Sequence, residues 1–217
     1  MFLTNFADEA VMLPLAVAVG CTLAALGWRR GAVAWSVAIF CTFALMLVLK
    51  MVSVACGPPL LRSPSGHTAA AAVVCGGMAV LLGRGHRRVS VLLAAAAAAV
   101  LIGLSRLVLH MHTEPEVLVG GVVGIAGALC MRQLAGAPPR ALRMRWVGAV
   151  ALAVLVLFHG LHLNAEPRIH RLAFGMAWAL EMCRGAPLEN HVKLAVAAPP
   201  PQMYTPSVAH REVYISR

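Results

Sequence analysis

Residues 90–116, SVLLAAAAAAVLIGLSRLVLHMHTEPE, contain the pattern on which the fold prediction rests. Residues 90–109 are apolar and long enough to cross the hydrocarbon core of a bilayer, which takes about 20 residues as one helix. A helix is the expected form of such a segment because unpaired backbone groups cannot face lipid. Polar residues follow directly, so the stretch predicts a membrane-spanning helix that ends at a polar surface.

Five further segments of the chain share this apolar character. Hydrophobic residues make up 60% of the 217 residues and charged residues only 12%, whereas charged residues make up roughly 25% of an ordinary soluble domain. The six predicted spans are residues 10–27, 32–50, 66–84, 90–109, 115–132 and 146–163. We therefore expect an all-α protein, a polytopic membrane helical bundle with six transmembrane helices.

Two regions are expected along the chain. Residues 1–163 form the transmembrane domain, and residues 164–217 form a C-terminal extramembranous segment that is periplasmic or interfacial. The apolar part of this segment, residues 172–183, is too short to span a bilayer. The prolines at 199–201 indicate an extended linker before a flexible tail. The candidate functional residues all lie in the first region.

Charge alternates between the predicted loops. The loops on one side of the predicted bundle contain Arg29, Arg30, Arg84, Arg87, Arg88, Arg132, Arg140, Arg143 and Arg145, and all the acidic residues fall on the other side. Short loops rich in Lys and Arg stay in the cytoplasm. We therefore expect a bacterial inner membrane protein with both termini on the periplasmic side. This distribution accounts for the net charge of +10 without a nucleic-acid partner.

Polar residues suited to binding and attacking a phosphate fall at the span ends on this periplasmic side. They are Lys50, the sequence Pro-Ser-Gly-His at 64–67, Arg106, His112 and Glu116. A glycine in the first turn of a helix lets an anion approach the free N–H groups there. An arginine close to hydrocarbon needs an anion, and a phosphate suits its bidentate hydrogen bonding. The sequence therefore predicts a phosphate site.

Structural interpretations compete at several of these positions. Lys50 at a span end could extend to the lipid headgroups, and Ser63 with Pro64 could simply begin a helix. Thr113 to Glu116 has the form of a capping box, in which the glutamate completes the helix start. We interpret His110 as a neighbour of His112 and not as a second nucleophile.

A metal site is the chemical alternative. His110, His112, Glu116 and His67 include ligand types that zinc accepts. Fixed cations nearby would repel a divalent ion unless an anion were always bound. The residue pattern therefore favours a phosphate over a metal.

These residues resemble the type 2 phosphatidic acid phosphatase superfamily, which also includes bacterial acid phosphatases and vanadium haloperoxidases. The second motif of that family, Pro-Ser-Gly-His, is intact at 64–67. The third, Ser-Arg, five residues, His, three residues, Asp, is matched from Ser105 to His112, with Glu116 in place of the Asp. The resemblance covers residues 50–116 and the six-span architecture.

The first motif of the family departs from the pattern. Lys50 is present, but the Arg-Pro expected after six further residues is Gly57-Pro58. Arg62 lies in the same loop and is the candidate to replace the missing guanidinium. Losing one transition-state donor can cost about 100-fold to 1000-fold in rate, so this substitution and Glu116 indicate a slow or specialised enzyme.

The resemblance implies a role for each matched residue. His112 would be the nucleophile that forms a phosphohistidine, His67 the acid for the leaving group, and Glu116 the group that orients His112. The phosphoryl oxygens would be bound by Lys50, Ser65, Gly66, Arg106 and Arg62. No metal or other cofactor is implied, because cationic side chains neutralise the phosphate.

The predicted function is a metal-independent lipid phosphatase that acts at the outer membrane face. The substrates implied by the family are polyprenyl diphosphate, phosphatidic acid, phosphatidylglycerophosphate and lipid A phosphates, so the expected partners are a lipid phosphate and the bilayer. The alternatives are a phosphotransferase, a non-catalytic protein that binds phospholipid headgroups and, with less support, the metal-dependent hydrolase. The oligomeric state and the choice of lipid stay open.

Overall fold

The computed structural model describes residues 9–56, 63–83, 88–139 and 143–158. In this part of the chain all regular structure is helical, which confirms the all-α class. The six helices are α1 (Glu9–Ala25), α2 (Arg29–Cys56), α3 (Gly66–Leu82), α4 (Arg88–Val108), α5 (Glu114–Ala135) and α6 (Met144–Phe158). Each one overlaps a predicted span, and α2 continues to Cys56, six residues beyond the predicted end of its span. The C-terminal segment 164–217, Gly57 and Arg62 lie outside the described residues, so the predictions made for them stay predictions.

Three of the described helices are long and apolar enough to cross a membrane. They are Arg29–Val54, Arg88–Val108 and Glu114–Ala135. The apolar stretches Val11–Ala25, Gly66–Leu82 and Met144–Phe158 are shorter, and a 17-residue helix measures only about 26 Å against a hydrocarbon core of about 30 Å. The membrane character of the protein is thus supported, whereas the count of six spans stays a prediction.

The outer surface of the bundle is apolar, as a lipid-facing surface must be. Large side chains such as Phe40, Leu93 and Leu118 are about two-thirds exposed or more, at 72%, 65% and 67%. A soluble monomer rarely exposes so many contiguous apolar groups. The burial pattern therefore agrees with the composition in indicating a membrane protein.

Helix α3 lies at the centre of the described bundle. It packs most extensively against α4 and α5 and also contacts α2 and α6. Every residue from Thr68 to Val74 is buried. Small residues make this packing close: a Cβ atom on Gly76 would lie 2.5 Å from Cβ of Ala128 and 2.9 Å from Cβ of Ala95. Close approach of helix backbones through small residues is typical of membrane bundles.

The two ends of the bundle differ in charge. Arg30 donates a hydrogen bond from Nε to the carbonyl oxygen of Leu134 at 2.9 Å, which places the start of α2 beside the end of α5. The described arginines at this end are Arg29, Arg30, Arg88, Arg132, Arg143 and Arg145. Glu114 and Glu116 stand at the other end, at the start of α5. The alternation expected from the sequence is therefore present, while the side of the membrane that each end faces stays a prediction.

Candidate active site

Lys50 does not end its helix, and the interpretation as a headgroup-facing lysine is wrong. Helix α2 continues to Cys56, and Lys50 is only 5% exposed. A Cβ atom built on Gly66 would lie 3.6 Å from Cε and 3.8 Å from Nζ of Lys50. The ammonium group is therefore held inside the bundle, beside the first residue of α3.

The start of α3 differs slightly from expectation. The N-cap is Ser65 and not Ser63, and Gly66 is the first helical residue. The Ser65 hydroxyl oxygen accepts hydrogen bonds from Thr68 Oγ1 at 2.9 Å and from Thr68 N at 3.5 Å. This arrangement is a normal N-cap, and it leaves Gly66 and His67 in the first turn, where backbone N–H groups point towards the helix end.

The end of α4 explains how His112 reaches α5. Met111 N–H donates to the carbonyl oxygen of Arg106 and His110 N–H to that of Leu107, both at 3.0 Å. His110 has a φ of 52°. These bonds form a Schellman motif, in which a glycine usually takes the left-handed position. His110 therefore has a conformational role in the turn that presents His112 to the start of α5.

Arg106 belongs to the buried face of α4. It is 7% exposed and follows Gly103 by three residues, so the two residues share a helix face. A Cβ atom on Gly103 would lie 2.5 Å from Cγ1 of Val117. Val117 adjoins Glu116 in the chain, and Arg106 lies one helical turn beyond this contact, in the last turn of α4.

Glu116 connects His112 with the start of α3 through hydrogen bonds. One carboxylate oxygen, Oε1, accepts a hydrogen bond from the backbone N–H of Ser63 at 2.8 Å. The other, Oε2, accepts from the backbone N–H of Thr113 at 3.0 Å and lies 3.1 Å from Nδ1 of His112. In addition, the carbonyl oxygen of Glu116 accepts from Ser65 N–H at 3.0 Å. The capping-box interpretation and the histidine-orienting interpretation are thus both compatible with its geometry.

The contact with Glu116 has a consequence for the imidazole of His112. An ionised carboxylate only accepts hydrogen bonds, so the ring proton belongs on Nδ1. The other nitrogen, Nε2, then carries a lone pair. The side chain of His112 is 10% exposed and that of Glu116 is 7% exposed. The pair is therefore shielded from bulk water, yet His112 retains some access to the surface.

The structure brings together most of the predicted site residues. Lys50 meets Gly66, and Glu116 meets His112 and the backbone of Ser65, with Arg106 at the adjacent end of α4. The Ser65 N–H is engaged with Glu116, so phosphate binding by this turn would fall to other atoms. His67 occupies the second position of α3 and is partly exposed. The chemical roles of all these residues stay predictions.

Three residues contribute to this geometry in ways that were not predicted from the sequence. Ser63 contributes a backbone N–H, for which a sequence carries no signal. Thr68 and Gly120 are also central, because the buried Thr68 contacts the N-cap of α3 and a Cβ atom on Gly120 would meet the Ser65 carbonyl oxygen. The spacing of Gly120 and Gly124 could have indicated a close helix contact.

The metal-dependent alternative gains no support. Within the described ranges, no group of three or more His, Cys, Asp or Glu side chains is arranged to hold a metal ion. His110, one of the proposed ligands, is instead exposed in the turn after α4. The preference for a phosphate over a metal stays a prediction.

Comparison with known protein families agrees with the motif interpretation. The family model of the PAP2 superfamily matches residues 53–138, a range that contains Pro64 to His67, Arg106, His112 and Glu116. The matched model is that of the same superfamily as the resemblance seen in the sequence, so the match confirms that resemblance over residues 53–138. No match was found among curated proteins or among solved structures. The superfamily includes phosphatases, so the match supports a phosphoester hydrolase in a membrane-like helical bundle.

Proposed function

We propose that the protein is a lipid phosphatase that removes a phosphate or diphosphate headgroup through a phosphohistidine on His112. The observation that carries this proposal is the contact of 3.1 Å between Nδ1 of His112 and the buried carboxylate of Glu116. It supports a histidine whose Nε2 acts as the nucleophile. The PAP2 match to residues 53–138 supports the phosphatase class independently.

The reaction takes two steps. In the first, Nε2 of His112 attacks phosphorus, the bond from phosphorus to the leaving oxygen breaks, and His67 donates a proton to that oxygen. The Nδ1 proton stays on the ring, where the Glu116 carboxylate stabilises the positive charge. In the second step a water attacks the phosphohistidine and gives its proton to His67. The N–P bond breaks, which releases phosphate and restores the starting enzyme.

Charge neutralisation supports this chemistry at two points. Lys50 lies beside Gly66 in the first turn of α3, so an oxygen bound there meets an ammonium and helix N–H groups together. Arg106 is buried at the site end of α4 and offers a second cation. Phosphoryl transfer depends chiefly on positioning and on stabilising charge on the oxygens. Arg62 is proposed to supply a further guanidinium, although it lies outside the described residues.

The substrate is proposed to be a lipid because the site lies at helix ends of an apolar bundle. A phosphate headgroup can enter at this level while the acyl or prenyl chain stays in the bilayer. Polyprenyl diphosphate, phosphatidic acid, phosphatidylglycerophosphate and lipid A phosphates all fit this description. The arginine-rich opposite end supports an orientation in which the site faces the periplasm.

The test is phosphate release from a panel of these lipids by the detergent-purified protein with EDTA present. His112→Ala is expected to abolish release, since it removes the nucleophile. His110→Asn is the matched control, because asparagine tolerates the left-handed backbone of residue 110 and release should stay close to that of the parent. Release that needs a divalent metal, or that survives His112→Ala, would contradict the mechanism.

The same panel separates the alternatives. A phosphotransferase would consume the lipid phosphate and pass the phosphoryl group to another acceptor, so that a phosphorylated acceptor would form in place of free phosphate. A headgroup-binding protein would bind the lipids without turnover in any variant. Either result would exclude the hydrolase in favour of that alternative.

A further inference from the structure

A backbone contact next to the proposed site depends on one glycine. Gly120 lies on α5, one turn after Glu116, and a Cβ atom built on it would overlap the carbonyl oxygen of Ser65. The same atom would lie 3.3 Å from Cβ of Thr68. Only a residue without a side chain lets α5 approach the start of α3 this closely.

Two hydrogen bonds hold the same turn of α3 against α5. Ser65 N–H donates to the carbonyl oxygen of Glu116 at 3.0 Å, and Ser63 N–H donates to Oε1 of Glu116 at 2.8 Å. The other carboxylate oxygen of Glu116 contacts His112. These hydrogen bonds form where α5 approaches the start of α3, and Gly120 is the glycine of α5 that lies against this turn.

We infer that Gly120 is a positioning residue for the proposed phosphoryl transfer. By admitting the Ser65 carbonyl against α5, it fixes the spacing between the phosphate-binding turn at Gly66 and the nucleophilic His112. This inference rests on the proposed function, since it needs a phosphate at Gly66. A misplacement on the order of 1 Å between reacting groups can cost about 100-fold in rate.

The close approach also explains why a glutamate fits at position 116. Its Oε1 reaches Ser63 while Oε2 contacts both Thr113 and His112. An aspartate is shorter by one carbon–carbon bond, about 1.5 Å, and cannot keep both sets of contacts at this backbone position. We therefore expect that the aspartate carried by the family does not replace Glu116 in this chain without a loss of contacts.

The first experiment uses Gly120→Ala with two matched glycine variants. In Gly121→Ala the new Cβ would lie 3.6 Å from Cβ of Ala99, an ordinary contact. In Gly76→Ala it would lie 2.5 Å from Cβ of Ala128, which strains the same helix interface further from the site. Each purified variant is assayed for kcat per folded molecule, KM for the lipid, Tm, and affinity for orthovanadate as a phosphate mimic.

Gly120→Ala is expected to lower kcat and vanadate affinity at least about tenfold, with a much smaller change in KM, because in the proposed function the lipid chain stays in the bilayer. Gly121→Ala should match the parent. Gly76→Ala should lower Tm and leave kcat per folded molecule near that of the parent. If Gly120→Ala, like Gly76→Ala, lowers Tm but leaves kcat and vanadate affinity unchanged, Gly120 is a packing residue and the inference is wrong.

A second variant covers the case in which Gly120→Ala does not fold. Glu116→Asp adds no atoms, and it is expected to lower kcat about tenfold or more although it restores the family residue. A kcat equal to or above that of the parent would overturn the inference. A parent that neither releases phosphate nor binds vanadate refutes the proposed function, and the positioning role falls with it. If the parent is active, His112→Ala abolishes that activity and Gly120→Ala leaves it unchanged, then only the positioning role of Gly120 is refuted.

Discussion

Replacing Glu116 with glutamine tests whether its carboxylate connects His112 with the backbone of Ser63. The side chain keeps its size, but one of its two acceptor oxygens becomes an NH₂ donor. In the parent, Ser63 N–H donates to Oε1 of Glu116 at 2.8 Å. If the remaining oxygen of the glutamine stays with Thr113 N–H and His112 Nδ1, its NH₂ group faces this Ser63 N–H instead. A buried donor that loses its acceptor costs about 1–3 kcal/mol, and we expect the free energy of unfolding to fall by that amount.

The effect on turnover should be larger than the effect on stability. A neutral amide no longer stabilises the positive charge that develops on His112, and it can hold the ring in the wrong tautomer. We expect kcat to fall by about 10²- to 10⁴-fold. The measurement compares Tm in detergent with phosphate release per folded molecule.

Glu114→Gln is the matched control for this experiment. Glu114 belongs to the same first turn of α5 but is exposed, and exposed substitutions usually change stability by less than about 0.5 kcal/mol. Its Tm and kcat should stay near those of the parent. If Glu116→Gln has the same Tm and kcat as Glu114→Gln, the carboxylate of Glu116 neither stabilises this part of the fold nor contributes to turnover.

Three further predictions concern single positions. Lys50→Met should lower kcat about 100-fold or more, because it removes the cation beside Gly66; turnover within a few-fold of the parent would remove Lys50 from the site. His110→Gly should raise Tm, since glycine relieves a left-handed cost of about 1 kcal/mol at a φ of 52°; a lower Tm would show that the side chain stabilises the turn. Thr68→Val should cost about 1–2 kcal/mol of unfolding free energy through the lost hydrogen bond to Ser65, whereas Thr42→Val, which loses only a bond to its own helix, should cost less. Equal losses of Tm in the two threonine variants would argue against a special role for the Ser65 cap.

The helices could be predicted because each one is a long apolar segment bounded by polar residues. The end of α2 could not, since the stretch after Lys50 remains apolar and a lysine at that point has the same sequence signal whether it is buried or faces the headgroups. Only the packing of Lys50 against Gly66 shows that this lysine is buried and does not face the headgroups.

The site was predictable where side chains carry the chemistry and unpredictable where the backbone does. His112 and Glu116 are four residues apart, and their contact followed from spacing. The contacts of Glu116 with Ser63 and Ser65 connect segments about 50 residues apart through N–H groups, which every residue except proline carries. The close approach at Gly120 depends on the same three-dimensional arrangement.

Transient phosphorylation of His112 can be tested by trapping the phosphohistidine. Purified protein is mixed with a lipid phosphate labelled on the transferred phosphoryl group and quenched at alkaline pH, where phosphohistidine survives, and the labelled peptide is identified by mass spectrometry. We expect label on His112 at a level that rises and decays with turnover, and no label in His112→Ala. Rapid phosphate release with no label on His112, or label on another residue, would contradict it.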